Sequence, residues 1–379
     1  MRNTGLVAWV KDAPSAEISK SAGLFQCAVA IPARDEQDLI ERCLRALAAQ
    51  QDAPTFAVVL FLNNCRDATA DTVKRIAGEL PFALFVHEAD LAPDLSDAAW
   101  ARRLALNAAA ALVREDGVVL TTDADSYAEP SWIADCLADV ACGADIVCGF
   151  VAPDFSDAPS LDFETLRHGA MEYEYSQLAA ELTLLIDPDP ADPWPRHQME
   201  TGANMAMRAS ALRALGGIPH VCPGEDQALV RLAQRHGFTV RHDFKPHVTT
   251  SSRLVGRASG GWSEDLKMRA DNRRGVCHEK LEPASAVLRR ALLRAGLRRL
   301  WGSAGFNRRA ARLVPNPAAL KDIKGAANFA AAWARTEETS PLLRRRPLLR
   351  CALEANIGRL RALVEARRLA PAPAAAVHA

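Results

Sequence analysis

The chain has 379 residues, enough for one large domain or for a domain with an appendage, and for a sizeable core in either case. With 49% hydrophobic and 24% charged residues it has ordinary globular composition. The formal net charge is zero, yet residues 281–370 hold nineteen Lys/Arg against six Asp/Glu, while the remainder holds twenty-seven against forty. A basic tail on an acidic body predicts two functional segments. No apolar run approaches the roughly 20 residues that span a bilayer, and Met1–Lys20 lacks the apolar core and small-residue cleavage site of a secretory signal. The nine cysteines form no CxxC pair, so neither a zinc framework nor a disulfide framework is expected and a reducing cytoplasm is the default.

From residue 26 short apolar runs alternate with segments of helical period. Gln26–Ile31 reads as a buried strand stopped by Pro32, and Asp38–Gln50 as a helix with Leu39, Ile40, Cys43, Leu44 and Leu47 on one face. Ala57–Leu62 is a second strand, followed by a helix capped by Asp67 and running to Ile76. Phe82–His87, Gly117–Thr121 and Asp145–Phe150 are further strands, with helices over Trp100–Val113 and Ile133–Val140 between them. This alternation predicts an α/β fold, a mostly parallel Rossmann-like sheet covered by helices. Residues 161–186 read as a long helix. Four prolines in the next nine residues predict an exposed loop there, suited to a lid or an acceptor-binding element. A helix over Ala209–Leu215 and a short strand over Phe238–His242 follow, and beyond about residue 280 the chain reads as arginine-rich helices with a frayed Ala370–Ala379 end. The expected organisation is an N-terminal arm (1–20), a catalytic domain (21–275) and a basic helical extension (276–379).

In such sheets ligands bind beyond the carboxyl ends of the strands. Polar clusters stand there: Ala33-Arg34-Asp35-Glu36, then Asn63-Asn64-Cys65-Arg66-Asp67, then Asp123-Ala124-Asp125. Two carboxylates one residue apart at a strand end suit a hard divalent cation, Mn2+ or Mg2+, although taken alone an acidic pair is more often a cap or a solvated turn.

Five segments in order over about residues 26–270 resemble the family 2 glycosyltransferases of GT-A fold. They are Ile31-Pro32-Ala33-Arg34-Asp35-Glu36, Asn63-Asn64-Cys65-Arg66-Asp67-Ala68-Thr69, Thr122-Asp123-Ala124-Asp125, Gly202-Ala203-Asn204-Met205-Ala206-Met207-Arg208 and Gly224-Glu225-Asp226-Gln227-Ala228-Leu229. The resemblance implies sugar transfer from a UDP- or GDP-linked donor to a hydroxyl acceptor, divalent-metal dependent and inverting. It places Pro32, Ala33, Arg34 and Glu36 at the nucleoside, with Glu36 on the ribose. Asn63 stands where relatives often carry an acid that reads the base. Arg102 falls where relatives carry a basic residue near the nucleotide, and a solvated helix face explains it as well. Asp123 would meet the ribose or metal region, and Asp125 would bind the metal. Gly202, Ala203 and Asn204 would form the turn under the transferred sugar, against the alternative of a plain turn before a helix. Glu225 and Asp226 match the catalytic acidic motif, Asp226 as the base, although a helix N-terminus stabilises an acid without any chemistry. His247 lies near where many such enzymes place a further metal ligand. Arg253 or Arg257 could pair with the diphosphate.

Two other readings share these features. A nucleotidyltransferase also combines an open sheet with metal-binding acids, but the first strand here ends without the expected glycine-rich loop. A non-catalytic scaffold would use the basic tail to recruit a membrane or a protein. In that tail Arg290, Arg294 and Arg298 form one i, i+4 row beside Leu288, Leu292, Leu293, Leu297, Leu300 and Trp301, within a helix expected over Ala286–Trp301. Such a helix can make peripheral contact with an anionic membrane, here the inner face, or pack as an ordinary amphipathic helix with a solvated arginine side, the commoner case. No nucleic-acid partner is expected.

Overall fold

The computed structural model describes residues 7–11, 21–157, 161–256, 261–270 and 275–369. Arg257 and the 370–379 end lie outside the described residues. The chain divides into two compact units, one of residues 1–160 and 199–268, the other of 161–198 and 269–379.

The first unit contains β1 (Val7–Lys11), β2 (Phe25–Ala33), α1 (Ile40–Ala48), β3 (Phe56–Asn63), α2 (Thr69–Ile76) and β4 (Ala83–Ala89). Then come α3 (Ala98–Leu112), β5 (Val113–Thr121), β6 (Ser126–Ala128), α4 (Trp132–Ala141) and β7 (Ile146–Asp154). After an excursion into the second unit by α5 (Phe163–Ile186), the chain returns through β8 (Met205–Arg208), α6 (Ala209–Ala214), α7 (Glu225–Arg235) and β9 (Val240–Ser251), and leaves along α8 (Trp262–Ala270). One nine-stranded sheet has the order β1-β4-β3-β2-β5-β8-β7-β9-β6. Strands β8 and β6 run antiparallel to their neighbours, and every other pairing is parallel.

Strand β3 is buried along its whole length, as a strand covered on both faces must be. Alternate side chains serve two apolar layers. Val29, Ile31, Val58 and Leu60 meet Ile40, Cys43, Leu44 and Leu47 of α1. Ala28, Ala30, Ala57 and Val59 meet Ala101, Ala105, Leu106 and Ala109 of α3, where small residues on both sides allow close approach.

The expected strands and helices of this unit are present, joined by β6, β8 and α8, and three of the expectations change. Strand β2 continues through Pro32 to Ala33, because its pairing with β5 ends at Ala30 while that with β3 runs on to Ala33. On the β5 side Pro32 therefore breaks no ladder. The strand expected over Phe238–His242 is the twelve-residue β9, paired with the nine-residue β7 through an irregularity at Gly149/Phe150 that hides its period. Part of the expected N-terminal arm, Val7–Lys11, is a strand on β4.

In the second unit α5 joins α9 (Ala284–Arg298), α10 (Ala304–Leu313), α11 (Pro317–Lys324), α12 (Phe329–Thr339) and α13 (Leu353–Leu369). Tyr175, Ala179 and Leu182 of α5 share one apolar cluster with Ala291, Ala295, Leu353, Ile357 and Leu360. This packing replaces the expected boundary at residue 275: residues 161–198 belong with the C-terminal helices.

The arginine row of α9 is committed internally. Arg290 bonds Glu282 at 2.7 and 2.9 Å and Glu337 at 2.8 Å. Arg294 and Arg298 both pair with Asp187, at 2.6 and 2.9 Å. These pairs give each arginine of the row a carboxylate partner within the protein, as in an ordinary packed amphipathic helix. They also correct the expectation of a wholly exposed proline loop, since Asp187 is only 3% accessible. Among the described residues no helix is long and apolar enough to cross a membrane.

Asp187→Ala strands two guanidinium groups, of which Arg298 remains about a third exposed. Urea unfolding should report a loss of roughly 2–3 kcal/mol, below the cost of breaking a fully buried pair. A loss within experimental error would mean that the pair contributes nothing.

Candidate functional site

The site is assembled where β2, β3 and β5 end. The loops after β2 and β3 are stitched together. Asp35 accepts a bond from the Arg66 amide at 2.7 Å, Asp67 from the Gln37 amide at 3.0 Å, and Gln37 from the Ala68 amide at 2.9 Å. Asp67, expected as a plain helix cap, also accepts from the Thr69 amide and hydroxyl. The Thr69 hydroxyl in turn accepts from the Glu36 amide at 2.7 Å. Glu36 is thereby held at the mouth of β2 with its side chain largely buried.

Beside it stands the acidic turn after β5. Asp125 lies against Arg253 at 3.0 Å, and the same guanidinium donates to both oxygens of Glu36, one at 2.7 Å. The Ser251 amide donates to the Asp125 carbonyl at 3.2 Å, fixing the end of β9 to this turn. Burial, and then the charge of Asp123, pushes the Asp125 carboxyl up to about 7 despite Arg253. Negative charge is therefore in excess here.

Arg102 ties this turn to the other acidic motif. It is 6% accessible and uses four of its five N–H groups. Nη2 donates to Asp123 at 2.8 Å, Nη1 to the Thr121 hydroxyl at 3.1 Å and to the Gly202 carbonyl at 2.9 Å, and Nε to Glu225 at 3.1 Å. Burial works against its charge, but Asp123, Glu225 and Asp226 more than offset this and raise its pKa. Instead of presenting its guanidinium to a nucleotide, Arg102 is a brace between protein groups. Gly202 is required above it, since a Cβ there would lie 2.3 Å from the Arg102 Cζ.

Glu225 opens α7 after Gly224, whose φ of 101° suits glycine, and it spends its carboxylate on Arg102. Asp226 accepts from the Gly202 amide at 2.9 Å and from its neighbour Gln227 at 2.7 Å. Burial and the adjacent Glu225 charge nevertheless raise its pKa. The structure thus brings Glu36, Asp123, Asp125, Arg253, Arg102, Gly202, Glu225 and Asp226 into one connected network.

Other expected residues are placed differently. Asn204 is 0% accessible, and its amide accepts from Trp132 Nε1 at 2.8 Å and donates to the carbonyls of Phe150 and Pro246 at 2.8 and 2.9 Å. It locks β8 to its surroundings and has no bond left for a sugar; Ala203 is buried beside it. His247 sits within β9 with its ring edge against Phe150 at 5.2 Å. Thr250, which reaches Asp125 at 3.4 Å, is three residues further on, about 10 Å along a strand and on the opposite face. His247 is not brought to Asp125. Asn63 donates from Nδ2 to the Ser96 carbonyl at 3.1 Å, as does the exposed Arg34 at 3.2 Å, while the buried Asn63 Oδ1 has no hydrogen-bond partner among the described residues. Pro32 and Ala33 line the end of β2 beside Glu36. Sequence reasoning missed the parts of Thr69 and Thr121, because hydroxyls that hold carboxylates and guanidiniums leave no spacing signal.

The glycosyltransferase like family 2 profile matches residues 26–270. No curated protein is significantly similar in sequence. Among solved structures, S. aureus TarS 1–349 in complex with UDP-GlcNAc is similar at 17% identity, over 91% of this chain and 92% of that one, with a TM-score of 0.47. The mannosyltransferase PcManGT from Pyrobaculum calidifontis, in complex with GDP-Man and Mn2+, is similar at 19% identity over 85% and 92%, with a TM-score of 0.45. Glucosyl-3-phosphoglycerate synthase from Mycobacterium tuberculosis is similar at 16% identity over 73% and 90%, with a TM-score of 0.37. With the profile running from β2 through β9 and over every acidic motif of the network, the chain belongs to the glycosyltransferase-like family 2.

Proposed function

We propose that this chain transfers a sugar from a UDP- or GDP-linked donor to a hydroxyl acceptor, with a divalent cation at Asp125 and with inversion at the anomeric carbon. The observation that carries the reading is the continuity of the network: one buried guanidinium connects the strand-end carboxylates to the Asp226 motif. Glu36 and Asn63 border the end of β2, and the free Oδ1 of Asn63 is an acceptor suited to an N–H of a nucleobase. Arg253 is the guanidinium suited to a diphosphate.

The donor set fits a hard cation. Asp123 and Asp125 offer only oxygen, and burial and then the Asp123 charge raise the Asp125 carboxyl, whose proton a cation would replace. A bound Mn2+ or Mg2+ would offset charge on the departing nucleotide. Asp226 serves as the proton acceptor: its raised pKa keeps it basic, and the two amide bonds aim its carboxylate.

The first test is of the base. Asp226→Asn should lower turnover by about 10²–10⁴, the usual worth of a positioned base. The affinity for UDP or GDP should change little, and the wild-type product should have inverted configuration. Near-normal turnover in the variant would remove Asp226 from the mechanism.

The second is of the cation. Activity should vanish in EDTA and return with Mn2+ or Mg2+, and full activity in EDTA would overturn the proposal. Thermal melting gives an independent readout. The folded Asp125 binds its proton more tightly than its ordinary value of 3.8, so its contribution to stability falls as pH rises from about 4 to about 7. Without metal, Asp125→Asn should therefore melt above wild type at pH 8, and the gap should close by pH 4. Mn2+ should raise the melting temperature of wild type and leave that of the variant unchanged.

A further inference from the structure

In the second unit, three side chains of different metal-binding chemistry converge, two from one helix and one from a distant segment. His168 and Glu172 lie on one face of α5, four residues apart, with Nε2 and Oε1 separated by 3.3 Å. Cys277 comes from the segment before α9, and its Sγ lies 4.0 Å from the same Nε2. The three ligand atoms all lie within 4.8 Å of one another, and the residues are 9%, 7% and 3% accessible. A tetrahedral zinc ion with bonds of about 2.0–2.3 Å separates its ligands by roughly 3.3–3.6 Å. The nitrogen–oxygen pair already has that spacing, and the sulfur–nitrogen distance of 4.0 Å exceeds it by about half an ångström.

We propose that His168, Glu172 and Cys277 form a divalent-metal site of zinc type, with water or a further ligand in the fourth position, that fastens the segment before α9 to α5.

The surroundings prepare such a site. Cys277 is held by its backbone, its amide donating to the Leu348 carbonyl at 2.8 Å, while Val276 bridges Leu349. Glu172 is oriented from outside: its Oε2 pairs with Arg269 at 2.9 Å, and its Oε1 accepts from the His278 amide at 3.0 Å. That leaves Oε1 turned towards His168, the outer-sphere arrangement that fixes a metal-bound carboxylate. Burial, together with Glu172, pushes the thiol up to about 12, so it does not ionise alone. A divalent cation replaces that proton, which is released to solvent as the sulfur–metal bond forms. Thiolate and carboxylate then balance the charge of the ion, and the Arg269 guanidinium beside Glu172 adds one positive charge. The absence of a CxxC pair hides the site, because its ligands are 105 residues apart along the chain and meet only through the packing of α5.

The probe is Co2+, added without oxygen to the full-length chain after chelator treatment. One equivalent should develop the near-ultraviolet sulfur-to-cobalt charge-transfer band with tetrahedral visible absorption, and Zn2+ should abolish both. Asp125→Asn should keep the band, because the strand-end carboxylates offer no sulfur. Cys277→Ser should lose it. His168→Gln should weaken Co2+ binding by more than the roughly 10–100-fold that loss of an outer-sphere partner costs. The wild-type titration decides even if a variant misfolds. Absence of a thiolate band in the folded wild type would overturn the site and leave a hydrogen-bonded buried cluster. A band that survives Cys277→Ser would place the ion elsewhere and overturn it equally.

Discussion

A positive charge buried beneath a catalytic crevice is costly unless every partner is in place, and Arg102 meets that condition with two carboxylates, a hydroxyl and a carbonyl. The cost is also what makes the arrangement specific. Helix α3 must present the guanidinium at one height, the acidic turn must leave β5 at one angle, and the Gly202 turn must pass directly above. A small error in any of them leaves a charge without a partner in a medium where that is severely penalised. Three segments far apart in the chain are thereby aligned by one side chain, and the geometry between Asp123 and Asp226 follows from it.

The sheet supplies the space in which this alignment is useful. Strands β2 and β5 are neighbours, but their pairing stops at Ala30 and Thr121 while β2 continues with β3 to Ala33. Beyond that point the two chains part. The strand order also reverses here, so consecutive connections leave in opposite directions. The crevice is a consequence of topology, and the short acidic and amide-bearing loops furnish it. Asn204 supports the floor: its amide is consumed by Trp132 and two carbonyls, which ties the start of β8 to α4, β7 and β9.

Much of this was legible in the sequence where a local pattern existed. The apolar stripe Ile40, Cys43, Leu44, Leu47 is buried as its period requires, and the acids after the strands gather at one end of the sheet. What was not legible depends on partners distant in sequence. An asparagine two residues after a turn glycine reads equally as a ligand for sugar hydroxyls or as a core lock, and only the indole of Trp132 decides. Arg102 reads as a nucleotide contact until its four bonds are counted. His247 stands at the expected interval after Asp226, but β9 is longer than its interrupted period suggests, and the excess carries the histidine away from Asp125. The arginines of α9 have the spacing of a lipid-facing row, while Asp187, more than a hundred residues earlier, shows where two of them point.

Arg253 is shared between Glu36 and Asp125, and the N–H groups that serve these carboxylates cannot serve an incoming anion at the same time. An entering anion on its own would be repelled by the carboxylates around it. If it recruits Arg253, it uncovers Glu36 and Asp125 at that moment, and a cation becomes most welcome where the arginine has just departed. Anion and cation are then thermodynamically linked through a side chain that need touch only one of them, each raising the affinity for the other by the same factor. Occupancy of such a site behaves as an exchange of counter-ions, so its net affinity is a difference between two ion pairings and not the strength of either one.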